Sequence, residues 1–179
     1  MKHRWIAWLM LAGLLISACA RAQTEEAAAR EHRLLIRAKT LYVEPMPDGL
    51  DQWIIQDLRA WGKYQISGSS EGVDLLIRAK KPGAEHLLHP QGAIPRVRLP
   101  KKSLPVLSVT LVNWVTGERL WQADILDSGP KKNQPPPPPG PRTEIYARHM
   151  KPDEIAERCT NALQRYVESI EQAHPPAKP

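Results

Sequence analysis

The residues with the greatest chemical reactivity in this sequence are histidines, two cysteines and a short serine-rich run. His86 and His89 lie three residues apart, a spacing at which two imidazoles on one helix can bind a metal ion. Pro82, Gly83 and Pro90 surround the pair and disfavour a helix there. The pattern therefore favours two histidines in a loop and predicts no metal site.

Neither Cys159 nor the serine-rich run has the surroundings of a nucleophile. Cys159 falls on the apolar stripe of a predicted C-terminal helix, where a cysteine behaves as a small hydrophobic residue. The run Ser67-Gly68-Ser69-Ser70 lacks the G-x-S-x-G pattern of a nucleophile elbow. The glycines form no phosphate-binding pattern, and the acidic residues are scattered rather than paired between strand ends. We therefore predict no catalytic residue and no cofactor.

The N-terminal residues have the pattern of an export signal. Residues 1–4 are positively charged at two positions, and the apolar run at residues 5–16 is short for a membrane-spanning helix. Ile16-Ser17-Ala18-Cys19 then resembles the bacterial lipobox, in which an aliphatic residue and two small residues precede a cysteine. The resemblance implies that residues 1–18 are removed as a lipoprotein signal peptide and that Cys19 is acylated. Two or more acyl chains anchor a protein stably to a membrane.

Two alternatives to acylation stay open from the sequence. Cleavage after Ala20-Arg21-Ala22 leaves a soluble protein that begins at Gln23, and an uncleaved segment makes a short anchor. In all three cases the folded part lies outside the cytoplasm. Lipoproteins retained in the inner membrane of enteric bacteria have aspartate after the cysteine, whereas this chain has Ala20. In a host with two membranes, we therefore expect the periplasmic face of the outer membrane.

The best-specified structural element is a β-hairpin at residues 104–126. A three-residue turn at residues 115–117, with Gly117 in the left-handed conformation, places Trp114 opposite Glu118. The predicted pairs are Leu111 with Trp121, Val109 with Ala123, Leu107 with Ile125, Thr110 with Gln122, and Ser108 with Asp124. One face is apolar and the other polar, which predicts a hairpin packed on one side only.

Two amphipathic helices are predicted, at residues 48–62 and 152–173. In the first helix Asp48 is the expected N-cap, with Asp51 as the alternative, and Gly62 is the expected C-terminal stop. The core stripe of the first helix comprises Leu50, Trp53, Ile54, Leu58 and Trp61. The core stripe of the second comprises Ile155, Cys159, Leu163, Tyr166, Val167 and Ile170.

These elements predict an α/β (α+β) fold in which both helices pack on a mixed sheet of about 4–5 strands. Further strands are expected at residues 34–36, 39–44, 64–66 and 73–79. We predict a tether at residues 19–33, one α/β domain at residues 34–173 and a disordered tail at residues 174–179. Long loops are expected at residues 81–103 and 128–150, and the second contains five consecutive prolines at residues 135–139.

The charge and the exposed side chains indicate candidate binding surfaces without identifying a ligand. A net charge of +6 permits attraction to anionic glycans or lipids. Nucleic acid is not an expected partner in an exported location. Possible partner contacts are Trp114, beside the hairpin turn, and four basic residues: Arg96, Arg98, Lys101 and Lys102. The other tryptophans of the domain are assigned to the core.

The order of these features resembles a group of bacterial envelope lipoproteins. KTLYVEPMPDGLDQWIIQDLRAWGKYQI is followed by a Val-Asp-Leu-Leu-Ile strand, the NWVTGERLW hairpin and a terminal helix. The chain is more distantly similar to the α/β domains of the penicillin-binding-protein activator lipoproteins, the curli secretion lipoprotein and the N-terminal domain of TolB. The resemblance covers residues 39–170 and implies protein contacts in the envelope without catalysis. It transfers no site residue, because its motifs are structural.

The sequence therefore predicts a non-catalytic envelope lipoprotein, attached to the membrane through Cys19, that binds or helps assemble another envelope protein or cell-wall component. The first alternative is a soluble periplasmic or secreted ligand-binding module. The second is an enzyme whose site comes from residues far apart in the chain.

Overall fold

The computed structural model describes residues 29–81, 105–129 and 138–173. The chain divides into two compact units, Met1–Arg37 and Ala38–Pro179. In the first unit residues 29–37 are helical (α1). This helix replaces the strand expected at residues 34–36 and overlaps the end of the predicted tether. Helix formation suits this segment because Ala29 and the charged residues after it are good helix formers.

In its described residues, the second unit has six strands and two α-helices. The elements in chain order are β1 (Thr40–Val43), α2 (Leu50–Trp61), β2 (Gln65–Ile66), β3 (Leu75–Lys80), β4 (Pro105–Asn113), β5 (Arg119–Leu126), β6 (Arg142–Tyr146) and α3 (Pro152–Ala173). A short 3-10 turn, Pro47–Gly49, precedes α2. Both predicted helices are therefore present, within two residues of their expected bounds.

The six strands form one mixed sheet in the order β2-β1-β3-β4-β5-β6. The pairs β1–β2, β1–β3 and β5–β6 are parallel, whereas β4 is antiparallel to both of its neighbours. Five strands thus run in one direction and β4 runs in the other. The predicted α/β class and mixed sheet are confirmed, with one strand more than expected.

The additional strand, β6, lies within residues 128–150, where a loop is predicted. That prediction is therefore wrong at Arg142–Tyr146. Its five residues follow a proline-rich segment and show no long alternation of apolar and polar residues. Its position depends on tertiary contacts, because it pairs in parallel with β5 from Gln122 to Leu126. Parallel strands are not joined by a tight turn, so no turn motif in the sequence indicates the pairing of β6 with β5.

The main core lies between one face of the sheet and the two helices. The helices contact each other, and α2 also contacts β1 and β2 while α3 contacts β6. Core side chains with at most 4% of their surface exposed include Leu41, Val43, Ile77, Leu111, Trp121, Ala123, Ile54, Leu58, Leu163 and Val167. The apolar stripe of α3 is confirmed, except that Ile155 is only partly buried.

The register predicted for the β4–β5 hairpin is confirmed at all five pairs, including Leu111 with Trp121. The predicted turn is wrong, because Val112 pairs with Arg119 after a register shift and Trp114 does not pair with Glu118. The Asn113 side-chain oxygen accepts hydrogen bonds from the backbone N–H groups of Val115 and Thr116, at 2.9 and 3.2 Å. β4 ends at Asn113, and these bonds stabilise a five-residue loop at residues 114–118. Gly117 closes the loop with φ +69°, the left-handed conformation expected of it.

The predicted C-terminal end of α2 is confirmed, whereas the predicted N-cap is wrong. Gly62 terminates the helix with φ +73°, and its N–H donates to the Leu58 carbonyl at 3.1 Å, as predicted. Asp48 is not the N-cap, because it adopts φ +58° within the 3-10 turn and Gly49 precedes the helix. Asp51 instead accepts a hydrogen bond from the Met46 N–H at 3.2 Å.

In the described parts of the chain, no helix combines the length and the apolar character needed to cross a membrane.

Candidate functional site

A polar cluster around Asp124 lies on the sheet face opposite the main core. The Asp124 side chain is 4% exposed and accepts hydrogen bonds from the Ser108 hydroxyl at 2.7 Å and from the Gln122 amide. Arg142 of β6 donates to the same carboxylate from Nε at 2.8 Å and Nη2 at 2.6 Å. Arg119 donates to Gln122 Oε1 at 2.7 Å. The cluster therefore joins β4, β5 and β6 through side chains.

The charge of Asp124 is stabilised in this cluster. Burial by itself raises the pKa of the carboxyl, but hydrogen bonds from Ser108, Gln122 and Arg142, with the positive charge of Arg142, outweigh it. The net result is a pKa below the ordinary value, so Asp124 is ionised at neutral pH. A carboxylate held by so many donors is a poor proton acceptor, and its surroundings are those of a structural group.

The polar face of the hairpin is buried, which corrects the expectation of a hairpin packed on one side only. Thr110 and Gln122 are each 9% exposed, and Leu120 on the same face is 1% exposed. Thr110 donates to the Arg78 carbonyl at 3.2 Å. Burial of these polar side chains is tolerated because they donate to or accept from neighbouring groups.

Asp74 connects the starts of β1 and β3 to the end of β4, at the edge of the sheet where these strand ends lie together. Its carboxylate accepts from the backbone N–H of Lys39 at 2.8 Å and from that of Thr40 at 3.0 Å. Its carbonyl accepts from the Trp114 N–H at 3.1 Å. The bonds from the Lys39 and Thr40 N–H groups are the main causes that lower the pKa of Asp74. Asp74 thus holds Lys39 and Thr40, where the chain enters β1, close to the hairpin loop.

Cys159 of α3 is a free cysteine, and its side chain is buried. Burial raises its pKa to about 12. Because the thiolate is the reactive form, this thiol is inert at neutral pH. The predicted assignment of Cys159 to the apolar stripe is confirmed by its 2% exposure.

Trp114 and Val115 form the apolar tip of the hairpin loop. Trp114 is 41% exposed and Val115 is 85% exposed, although both are hydrophobic. The loop backbone is held in place by Asn113 and by the Trp114–Asp74 hydrogen bond. The expectation that Trp114 is exposed beside the turn is confirmed. The structure adds Val115 and places both residues at the edge where β1 begins.

A second exposed aromatic surface lies on the outer side of α2. Trp53 is 44% exposed, so its assignment to the core is wrong, whereas Leu50, Ile54 and Leu58 are buried as predicted. Trp53 lies about a quarter of a turn from the centre of that stripe, which leaves it at the margin of the core. Among the described residues, Gln52, Trp53, Ile55, Gln56 and Arg59 line an open concavity of about 360 Å³ on this surface.

This α2 surface is not among the sequence-based predictions, although the sequence contains a signal for it. Gln52, Gln56 and Arg59 define a polar side of the helix, and Trp53 borders it. A tryptophan at the border between apolar and polar sides is a typical partly exposed residue, because its ring is apolar and its N–H is polar. Trp61 is partly buried and contacts Tyr64 edge to face, with ring centroids 5.4 Å apart.

Several residues considered as candidates in the sequence lie outside the described part of the chain. These are the acylation candidate Cys19, the basic residues Arg96, Arg98, Lys101 and Lys102, the histidines His86 and His89, and the first three prolines of the run at residues 135–139. Within the described ranges, no group of three or more histidine, cysteine or acidic side chains is arranged to hold a metal ion.

Comparisons with models of protein families, with curated proteins and with solved structures return no significant match to this chain.

Proposed function

We propose that this protein is a non-catalytic lipoprotein of the cell envelope that binds another envelope protein. In this proposal Cys19 is acylated and anchors the chain, and the α/β unit recognises the partner. The Ile16-Ser17-Ala18-Cys19 motif supports the anchor, because the residue types preceding the cysteine match those of a lipobox. The group of envelope lipoproteins that the chain resembles supports the same class of function.

The observation that carries the recognition part is Trp53 on the outer side of α2. Trp53 is exposed and lies beside Arg59, and tryptophan and arginine are both enriched at the contact centres of protein interfaces. The concavity around it is open, which suits a partner's side chain better than an enclosed small ligand. The partner's surface is expected to present an apolar side chain to Trp53 and a carboxylate to Arg59.

The state of the reactive groups supports recognition rather than catalysis. Asp124 and Asp74 accept hydrogen bonds that fix strands, and the Cys159 thiol is buried with a raised pKa. Each of these three groups therefore has a structural role that accounts for its surroundings.

Photocrosslinking in the native host tests the recognition surface. A photoreactive amino acid at position 53 is expected to crosslink to one envelope protein. The same amino acid at position 161, an exposed site on α3, is the control and is expected to give no such product. The captured protein is then expected to copurify with the wild type and with Asn161→Ala, but at least tenfold less with Trp53→Ala.

The proposal fails if positions 53 and 161 crosslink equally, or if Trp53→Ala retains the partner at the wild-type level. A small molecule or glycan bound by the soluble protein, and displaced by Trp53→Ala, would instead favour the soluble binding module.

A further inference from the structure

The hairpin loop and the point where the chain enters the α/β unit lie at the same edge of the sheet. β1 and β3 are parallel and both begin there, while β3 and β4 pair Leu75 with Asn113, the last residue before the loop. Asp74 joins the two features directly, since its carboxylate accepts from Lys39 and its carbonyl accepts from Trp114. Adjacent strands are about 4.8 Å apart, so the start of β1 is about 10 Å from β4.

The chain upstream of Lys39 is short. From Cys19 to residue 29 the fully extended chain spans at most about 35 Å, and the helical residues 29–37 add about 14 Å. A membrane anchor at Cys19 is therefore connected to the α/β unit at this edge, through a short length of chain. The hairpin tip is beside the attachment point, whereas Val106 lies at the start of β4, at the opposite edge.

The tip has the chemistry of a membrane interface. Tryptophan is enriched where acyl chains meet headgroups, because its ring is apolar and its N–H is polar. Val115 is the most exposed large hydrophobic residue in the described part of the chain, at 85%, and it follows Trp114 directly. Lys39 and Arg119 are exposed cations on either side of the loop base and suit anionic headgroups. The Asp74 carboxylate nearby already accepts two backbone N–H groups.

From these observations we propose that Trp114 and Val115 insert into the headgroup region of the lipid bilayer as a second membrane contact. This inference rests on the proposed lipid anchor, whose tether joins the α/β unit at Lys39, beside the tip. The loop is preorganised by Asn113 and Asp74, so insertion requires little ordering of the backbone. The contact orients the α/β unit, which the tether alone leaves free to rotate.

Fluorescence quenching by brominated lipids tests the contact. The purified mature protein is reconstituted in vesicles of phosphatidylethanolamine and phosphatidylglycerol, with or without phospholipids brominated near the headgroup. Quenching of tryptophan emission is expected in the wild type and is expected to be lost in Trp114→Ala. Trp53→Ala, which removes an exposed tryptophan from α2, is expected to retain the quenched fraction.

A matched pair of valine variants keeps Trp114 in place. Val115→Asp introduces a charge at the tip, and Val106→Asp introduces the same charge at a valine that is 52% exposed at the other edge. Both sites are exposed, so both variants are expected to fold, as circular dichroism checks. In the unacylated Cys19→Ser protein, Val115→Asp is expected to lower partitioning onto the same vesicles roughly tenfold. Val106→Asp is expected to leave it unchanged.

The outcomes separate this inference from the lipid anchor. Intact mass of the same preparation reports acylation independently of the fluorescence. Acylated protein whose quenching is the same with and without Trp114 overturns the tip contact and leaves the anchor standing. Unacylated protein overturns the anchor, and the valine pair then decides the tip contact alone. Equal partitioning of the two valine variants, or a crosslink from position 114 to a protein, overturns it.

Discussion

At the scale of single residues, Asp124 is a buried carboxylate that accepts hydrogen bonds from three side chains. Its carboxylate joins Ser108 of β4 and Gln122 of β5 to Arg142 of β6, and 4% of its side chain is exposed. Arg142 donates two hydrogen bonds from β6 to this carboxylate, through Nε and Nη2. The position of this strand is therefore sensitive to one carboxylate.

Asp124→Ala is expected to lower the free energy of unfolding by about 2–3 kcal/mol. The substitution leaves the donors of Ser108 and Gln122 without their acceptor, and Arg142 without its counter-charge. Urea denaturation measures the change, and Asp127→Ala at the neighbouring exposed position is the control. A loss no larger than that of the control contradicts the structural role.

The same carboxylate predicts a dependence on pH. The folded-state pKa of Asp124 lies below the ordinary value of 3.8, so the stabilisation is complete above that value. It is lost as the pH falls through the lower, folded-state pKa. The stability difference between the wild type and Asp124→Ala is therefore expected to shrink below pH 3.8.

Cys159 is expected to resist thiol reagents until the protein unfolds. With a pKa of about 12, roughly one thiol in ten thousand is ionised at pH 8, and burial blocks access as well. In the Cys19→Ser protein, an aromatic disulfide reagent is expected to label Cys159 within minutes in urea at roughly 8 M, a concentration that unfolds most small domains. In buffer, labelling of Cys159 is expected to be far slower. Equal rates would show that the α3 stripe opens readily.

At the scale of elements, the sequence pattern of the hairpin predicts the strand register correctly but not the turn. Alternation of apolar and polar residues specified the pairing of Leu111 with Trp121, because a shift by one residue would reverse both faces. The predicted three-residue turn is wrong for two reasons. The Asn113 side chain accepts a hydrogen bond from the loop backbone, and the strand register shifts between Leu111 and Val112. Side-chain caps of this kind leave no periodic pattern.

The two positions that were wrong on α2 have a related cause. Asp48 has the residue type of an N-cap, but the 3-10 turn places it at φ +58° and the helix begins after Gly49. Trp53 satisfies helical spacing, yet the buried stripe is narrow and ends before it. Both depend on how α2 meets the sheet, which residue spacing alone does not determine. The same holds for the parallel strand β6.

Gly117→Ala is expected to destabilise the hairpin through backbone strain alone. Gly117 has φ +69°, and an added Cβ meets no atom within 4 Å, so no steric clash contributes. The expected loss is about 1–2 kcal/mol of unfolding free energy. Gly68→Ala, where φ is not positive and space is also open, is the matched control and is expected to change stability by less than about 0.5 kcal/mol. Equal effects would contradict the left-handed conformation at Gly117.

The contact between α2 and α3 includes two like charges. Burial raises the pKa of Asp57, and the negative charge of Glu157 on α3 raises it further. Because the folded-state pKa lies above the ordinary 3.8, this carboxyl lowers stability as the pH rises through that range.

Asp57→Asn is therefore expected to stabilise the protein at pH 7 by a few tenths of a kcal/mol, after allowance for solvent screening. The gain is expected to vanish below pH 3.8, where the wild-type carboxyl is protonated. Glu157→Gln is expected to give part of the same gain, and the double variant less than the sum. Thermal unfolding at the two pH values measures these differences. A destabilised Asp57→Asn at pH 7 would contradict the repulsion.

At the scale of the whole molecule, the α/β unit has two surfaces with different proposed roles. The hairpin tip lies at the edge where the chain enters, and the outer side of α2 carries Trp53. A domain attached at the tip edge keeps the α2 surface available to a partner in the envelope. Anchoring also confines the domain near the membrane and raises its effective concentration for a partner located there.

The anchor at Cys19 is the central claim, since the orientation of the domain and its access to a partner both depend on it. Intact mass of the mature protein from its native host tests this claim most directly. We predict a chain that begins at Cys19 and carries the added mass of its acyl groups, and we predict no acyl mass in Cys19→Ser. An unmodified chain that begins at Gln23 would contradict the account.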